Sequence, residues 1–307
     1  MKIIFFGNTE FSNPTLEKCN ASFDIVSVVT NSSKKMGRGR HFSDTPVKIL
    51  ADKLKINVIQ VENLENKDFI QKLEDLKPDL FIVVAYKILP KLLLNIPTMG
   101  AINLHSSLLP KYRGAAPIQR SILNHDKITG ISTFLIEPKV DTGKILMQKE
   151  CEISDKDNYG SLSSKLSNIG AQLIVESIEK YSRGDISPIT QDEKLVTLAP
   201  KIKKEEHIID WNQDLTTIDA QVKAFSPYPG AYTMIDGKRL KIFEAKMTKG
   251  VNYKEVGKII NLSKTCFEVT CLSGSLKVYE VQIEGKRRMS SKDFMIGISN
   301  LENVILG

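Results

Sequence analysis

One stretch of the chain decides its fold: Ile102-Asn103-Leu104-His105-Ser106-Ser107-Leu108-Leu109-Pro110, at the end of an apolar run that starts at Met99. If that run is a strand, Asn103 and His105 point to one face of a sheet and Leu104 to the other. A carboxamide can donate a hydrogen bond to a developing oxyanion, and an imidazole moves protons near neutral pH. The pair therefore predicts acyl or one-carbon transfer at the end of a strand.

The sequence around this stretch alternates short apolar runs with longer mixed segments, which is typical of a parallel sheet built from βαβ units. The predicted strands are Lys2–Phe6, Phe23–Val29, Asn57–Gln60, Leu80–Ala85, Ala101–His105, Ile131–Ile136 and Lys144–Cys151. The predicted helices are Asn8–Cys19, Pro46–Lys55, Asn66–Leu76, Pro117–Leu123 and Tyr159–Tyr181. In such a sheet the ligand cleft lies beyond the carboxyl ends of the strands, where Asn103 and His105 fall.

The last third of the chain has a different pattern. Residues 188–206 are polar and basic with little periodicity, which indicates a linker between a first domain, 1–187, and a second, 207–307. The second domain contains a predicted helix followed by short strands at regular spacing, which predicts a small β domain. Its predicted elements are the helix Leu215–Phe225 and the strands Ala231–Ile235, Arg239–Ala245, Gly257–Asn261, Cys266–Cys271 and Leu276–Ile283.

Composition narrows the class of protein. With 41% hydrophobic and 26% charged residues the chain is that of an ordinary globular protein, and its net charge of +7 favours an acidic partner. The four cysteines show no C-x-x-C spacing, so we expect no metal site and a reducing compartment. Without a signal peptide or an apolar span, the expected location is cytoplasmic. The first βα turn, Gly7-Asn8-Thr9, lacks G-x-G-x-x-G, which argues against dinucleotide binding.

Asp141-Thr142-Gly143 has three readings from the residues alone. It could be an aspartic-protease triplet, but that chemistry needs two such carboxylates, and the sequence has no second D-T-G or D-S-G. It could be a plain turn before the strand at Lys144. It could also bring the Asp141 carboxylate into the cleft beside His105.

These residues closely resemble the folate-dependent formyltransferases, whose signature is Asn-x-His, then Ser-Leu-Leu-Pro and later Asp-Thr-Gly. Within that family, Ser107 to Ile118 (SLLPKYRGAAPI) is most similar to the enzymes that formylate methionyl-tRNA. The resemblance implies a Rossmann-like, mostly parallel sheet domain followed by a small β-barrel (OB-like) domain that binds tRNA. It also implies transfer of a formyl group from 10-formyltetrahydrofolate to initiator methionyl-tRNA, without a metal and, we expect, by a monomer.

The resemblance assigns roles residue by residue. Asn103, His105 and Asp141 become the catalytic residues. The residues expected to bind folate are Tyr86, Ile88, Leu89, Ser106, Ser107, Leu108, Leu109 and Pro110. The residues expected to contact the tRNA acceptor stem are Gly37, Arg38, Gly39 and Arg40. One departure is Lys87, which stands where the family usually has Gly in the loop that lines the pterin pocket.

Two kinds of rival remain at this point. A formyltransferase could act on a sugar nucleotide, glycinamide ribonucleotide or another small amine, or the chain could hydrolyse formyltetrahydrofolate. The basic loop at Arg38 and the C-terminal β domain favour tRNA over these. From another class, a non-catalytic RNA-binding protein would have no need of the complete set Asn103, His105 and Asp141.

Overall fold

The computed structural model describes residues 1–36, 41–250, 252–298 and 301–307, which fall into two compact units. The first comprises residues 1–117, 128–152 and 163–200, and the second comprises 118–127, 153–162 and 201–307. The strands of the first unit are β1 (Lys2–Gly7), β2 (Asp24–Thr30), β3 (Lys34–Met36), β4 (His41–Ser43), β5 (Val58–Gln60), β6 (Leu80–Val84), β7 (Ala101–His105), β8 (Arg113–Gly114), β9 (Ile128–Leu135), β10 (Ile145–Glu152) and β11 (Leu198–Ala199). The helices up to residue 183 are α1 (Asn13–Ser22), α2 (Pro46–Lys53), α3 (Lys67–Asp75), α4 (Lys91–Leu94), α5 (Pro117–Leu123) and α6 (Tyr159–Arg183).

The first unit contains a sheet with the strand order β10-β9-β7-β6-β1-β2-β5. The pairs among β5, β2, β1, β6 and β7 are parallel, while β9 runs antiparallel to both β7 and β10. The prediction of a Rossmann-like, mostly parallel sheet is therefore confirmed. The central strands β1 and β6 are almost wholly buried because helices cover them, and this is why they read as continuous apolar runs.

Local signals placed several of the helices. Thr45 caps α2, accepting a hydrogen bond from Lys48 N at 3.1 Å, and Pro46 occupies the first position. Asn66 caps α3 in the same way, accepting from Phe69 N at 3.0 Å. The helix predicted from Asn8 begins only at Asn13, because Glu10–Ser12 forms a short 3₁₀ turn that ends on a hydrogen bond from Ser12 Oγ to Val84 O.

The second unit is an antiparallel sheet curled into a half-barrel, in agreement with the predicted small β domain. Its strands follow the order β12-β13-β16-β15-β14, with β17 paired to β16. These strands are β12 (Ala231–Ile235), β13 (Lys238–Lys249), β14 (Ile259–Ile260), β15 (Phe267–Cys271), β16 (Gly274–Ile283) and β17 (Met289–Ser290), and the helices are α7 (Leu215–Ala224) and α8 (Ser291–Ile296). Its core is formed by the inward side chains of the sheet together with α7 and α8.

The segment predicted as a linker, 188–206, is divided between the two units at residue 200. Its first part carries β11, which pairs with β8 through Leu198↔Arg113 and Ala199↔Gly114. It also forms a bridge between Ile189 and Ile145. Segment 188–200 is thus a structured part of the first unit, because its backbone hydrogen bonds are made with strands far away in sequence. Over the described ranges, we find no helix with the length and apolar character needed to cross a membrane.

Candidate active site

Asn103 and His105 lie at the carboxyl end of β7, where the parallel strands of the sheet end. Leu104, between them, points to the other side, where its side chain packs against Gly170 of α6. Asn103 is half-buried and makes no side-chain hydrogen bond to any described residue. Its amide group is therefore available to a substrate. The predicted strand Ala101–His105 is confirmed.

The His105 ring is fixed at one nitrogen and available at the other. It is 7% exposed, and its Nε2 lies 2.9 Å from the carbonyl oxygen of Tyr112. A carbonyl can only accept, so Nε2 carries the hydrogen and donates it. Tyr112 itself has a left-handed backbone (φ 61°), and its N–H donates to Thr197 Oγ1 at 2.8 Å. Nδ1 is consequently the ring nitrogen of His105 that remains for contacts in the cleft.

The Asp141 carboxylate faces this nitrogen. Its Oδ2 lies 3.8 Å from His105 Nδ1, and the same oxygen accepts a hydrogen bond from Gly114 N at 2.8 Å. The side chain is 16% exposed, so the pair is only partly screened by water. Asp141 has a left-handed backbone conformation (φ 53°), which Asp tolerates better than most residues. Of the three readings of the triplet, the structure favours the one in which the carboxylate enters the cleft.

Side chains of β9 and β10 hold the backbone of the loop after β7. Ser132 Oγ donates to Ser107 O at 2.6 Å and accepts from Leu109 N at 3.0 Å. Gln148 Nε2 donates to both Leu109 O and Ser132 Oγ. The side chains of Ser107 and Leu109 are buried within the protein, and half-buried side chains alternate with them at Ser106, Leu108 and Pro110.

The loop after β6 contains the other residues predicted to bind folate. Leu89 is buried in the apolar core, whereas Ile88 is 68% exposed. Tyr86 stacks edge-on against Phe6, and its buried hydroxyl has no hydrogen-bond partner among the described residues. Burial raises the pKa of Tyr86 to about 12, so the phenol is neutral and can donate. Lys87 reaches away to Glu62 O at 2.9 Å.

The residues predicted to contact tRNA, Gly37, Arg38, Gly39 and Arg40, lie outside the described residues. The structure instead adds residues that the sequence did not single out. Gln191, in the predicted linker, donates to the carbonyls of Asp141 and Gly143 at 2.9 and 2.7 Å. No sequence pattern marks Gln191, because its partners lie about fifty residues earlier in the chain. Within the described ranges, no group of three or more His, Cys, Asp or Glu side chains is placed to hold a metal ion.

Comparison with known proteins gives matches over nearly the whole chain. Residues 1–178 match the formyl transferase family and residues 201–299 match the formyl transferase C-terminal domain. The methionyl-tRNA formyltransferase of Dictyoglomus turgidum is 44% identical over 302 residues, covering 97% of this chain and 96% of that protein. The methionyl-tRNA formyltransferase of Citrifermentans bemidjiense is 38% identical over 309 residues, covering 100% and 96%.

A solved structure is similar at the level of the fold. The N-formyltransferase from Helicobacter canadensis, in complex with folinic acid and dTDP-3-aminofucose, has a TM-score of 0.65 at 19% identity over 91% of this chain and 98% of that one. Its identity is too low to carry the acceptor across. The two domain matches and the close full-length relatives decide the family: the chain belongs to the formyltransferases, in the group of the methionyl-tRNA formyltransferases.

Proposed function

We propose that the chain transfers the formyl group of 10-formyltetrahydrofolate to the free amino group of initiator methionyl-tRNA, with Asn103, His105 and Asp141 as its catalytic residues. The observation that carries this assignment is their convergence: a carboxamide that no described residue engages, an imidazole with Nδ1 available, and a carboxylate 3.8 Å from that nitrogen. The full-length similarity to methionyl-tRNA formyltransferases supports the choice of acceptor.

The reaction forms one C–N bond and breaks another. The amine attacks the formyl carbon, and Asn103 and the protonated Nδ1 of His105 donate hydrogen bonds to the resulting oxyanion. Asp141 stabilises the positive charge of the ring at that moment. As the bond to the folate nitrogen breaks, Asp141 carries the proton lost by the amine to that nitrogen, directly or through water. An oxyanion donor of this kind typically changes the rate by ~10²–10³. No step requires a metal.

The folate co-substrate would lie along the loops after β6 and β7. The side chains of Leu89, Ser107 and Leu109 are buried in the protein, so we assign their contribution to main-chain groups. The exposed Ile88 offers an apolar contact. The neutral, buried hydroxyl of Tyr86 lacks a partner in the described residues, and a polar group of the substrate would satisfy it.

For the tRNA we propose two contributions. The loop Gly37-Arg38-Gly39-Arg40 would contact the acceptor stem, since Arg suits phosphates and base edges. The second unit would bind the tRNA backbone. Residues 201–307 contain 17 Lys and Arg against 13 Asp and Glu, so a third of the chain carries +4 of the net +7. In this scheme 1–187 is the catalytic domain, 188–206 the connection and 207–307 the tRNA-binding domain of a cytoplasmic monomer.

The catalytic proposal is tested by replacing each of the three residues. We expect Asn103→Ala, His105→Ala and Asp141→Asn each to lower turnover by at least ~10², with the melting temperature largely kept. Because the three act together, double variants should lose far less than the product of the single losses. Near-normal turnover in folded His105→Ala contradicts the mechanism. The assay compares methionyl-tRNA with free methionine and an amino sugar nucleotide, and preference for either small amine contradicts the acceptor.

The proposal that the second unit binds tRNA is tested by reversing charges on its surface and measuring tRNA affinity at several salt concentrations. Arg239 and Lys246 lie over the rings of Tyr232 and Tyr279, at 4.8 and 5.4 Å, on exposed positions of β13. Arg239→Glu with Lys246→Glu should weaken tRNA binding and make its logarithmic dependence on salt shallower, because fewer counterions are released. Lys67→Glu with Lys72→Glu, at two exposed positions of α3, is the matched control because it changes the net charge by the same amount. If the slope of the β13 double variant equals that of the unaltered protein, Arg239 and Lys246 do not bind tRNA.

A further inference from the structure

A buried chain of hydrogen bonds supports the turn that carries Asp141. The side-chain amide of Gln191 is 6% exposed, and its Nε2 donates to both Asp141 O and Gly143 O, at 2.9 and 2.7 Å. Its Oε1 accepts from Arg113 Nε and Nη2 at 3.0 and 2.9 Å. The amide of Gln191 therefore links the Asp141 turn to Arg113, which lies in a different part of the chain.

Arg113 decides which way this amide points. A guanidinium has only donors, so the Gln191 oxygen must face it and the Gln191 nitrogen must face the two carbonyls. Arg113 is itself 6% exposed and makes two further hydrogen bonds to the Glu193 carboxylate, at 3.2 and 2.8 Å. Those bonds are the main cause of the lowered pKa of Glu193. The guanidinium of Arg113 thus holds the amide in a single orientation.

The network holds Asp141 at two points, its backbone and its carboxylate. Gln191 holds the backbone of the turn, while Gly114, the residue after Arg113, donates its N–H to the Asp141 carboxylate. Since Asp141 has an uncommon left-handed backbone, its position depends on what surrounds it more than on its own preference.

We propose that Gln191 is a positioning residue for the formyl transfer: held by Arg113, it keeps the Asp141 carboxylate opposite Nδ1 of His105. This inference rests on the proposed catalytic role of Asp141. Its contribution is exerted through Asp141 alone, so it should appear in turnover and not in the binding of either substrate.

The test is a double-mutant cycle in the full chain. Gln191→Met keeps the length of the side chain but removes both donors, and Gln191→Glu keeps the shape but turns oxygens toward the two carbonyls. Both should lower kcat 10- to 100-fold, with KM for methionyl-tRNA and for 10-formyltetrahydrofolate changed less than threefold, because small misplacements of a catalytic group have effects of this size. In the Asp141→Asn background, Gln191→Met should lower the remaining single-turnover rate less than twofold.

The matched control is Gln221, whose Nε2 likewise donates to two carbonyls, Glu206 O and Ile208 O, in the second unit. Gln221→Met should likewise remove two hydrogen bonds donated to carbonyls, without changing kcat. Unchanged kcat in Gln191→Met overturns the inference, and so does an equal fold-loss in both Asp141 backgrounds, which would show a purely structural role. If Asp141→Asn alone keeps normal turnover, the proposed mechanism has failed first, and the single variant reveals that directly.

Discussion

At the scale of single residues, the site depends on two uncommon backbone conformations, because these place the oxygen atoms that face His105. Tyr112 and Asp141 are both left-handed, and each of them presents an oxygen to His105. Gly143, two residues after Asp141, has no such angle but has no room for a side chain. A Cβ there would lie 1.6 Å from Leu135 O. The third letter of the Asp-Thr-Gly motif is therefore explained by the close approach of a neighbouring backbone.

Gly143→Ala should move this turn and displace the Asp141 carboxylate. Because the clash is with main chain, it cannot be relieved by a rotamer change, and we expect turnover to fall by ~10² or more with a lower melting temperature. Gly250→Ala, at a position where a Cβ meets nothing within 4 Å, is the control. Steady-state kinetics and thermal melts of the two variants check this, and unchanged turnover in Gly143→Ala counts against the dependence on the turn.

At the scale of elements, α7 holds in place the segment around residues 206–208, which precedes it in the second unit. Gln221 on this helix binds the carbonyls of Glu206 and Ile208, and the His207 ring packs edge-on against Phe225 at 4.6 Å between centroids. Burial is the main cause of a lowered pKa of His207. The folded state therefore favours the neutral imidazole.

This gives a pH dependence of stability with a definite sign. The unfolded chain binds the His207 proton near pH 6.5, while the folded chain binds it only at lower pH, so between these values unfolding takes up a proton. The contribution of His207 to stability is present above about 6.5 and is lost as the pH falls toward the lowered folded pKa. Denaturant unfolding at pH 7.5 and 5.5 should show a larger loss for the unaltered protein than for His207→Phe. Equal losses would show that this ring does not titrate on unfolding.

At the scale of the whole molecule, the compact units do not follow the order of the chain. The second unit includes residues 118–127 and 153–162, which come from the part of the sequence predicted to be the first domain. Arg120 pairs with Glu206 through two hydrogen bonds, at 2.6 and 3.0 Å, and Gly160 N donates to Ser226 O at 3.1 Å. A division at residue 187 or 200 therefore separates partners.

A chain that ends at Pro200 should accordingly be less stable than the full chain. It keeps 118–127 and 153–162 but removes the segment they pack with, a loss of several kcal/mol that corresponds to a decrease of ~10 °C or more in melting temperature. Co-expression with residues 201–307 should restore part of the difference if the missing contacts are the cause. A truncated chain that melts with the full-length protein would show that these segments contribute little.

The sequence by itself determined the alternation of helices and strands, the mostly parallel sheet and the placement of Asn103 and His105 on one face of β7. These follow from local rules, since side chains alternate along a strand and caps such as Thr45 satisfy nearby backbone groups. It also singled out Asp141 through a motif. It did not indicate α8, and it placed β11 in a linker because the pairing of that strand with β8 cannot be read from its own residues.

Only the tertiary structure decided which nitrogen of His105 faces the cleft, where the units divide, and what holds Asp141. Each depends on groups that are not neighbours in the chain: Tyr112 O is seven residues from His105, Gln191 is fifty from Asp141, and Arg113 is 78 from Gln191. Local propensity has no access to such pairs, because they come together only once the sheet has ordered its strands. The sequence supplies side chains of suitable chemistry, and the order of the strands in the folded sheet determines which of them come into contact.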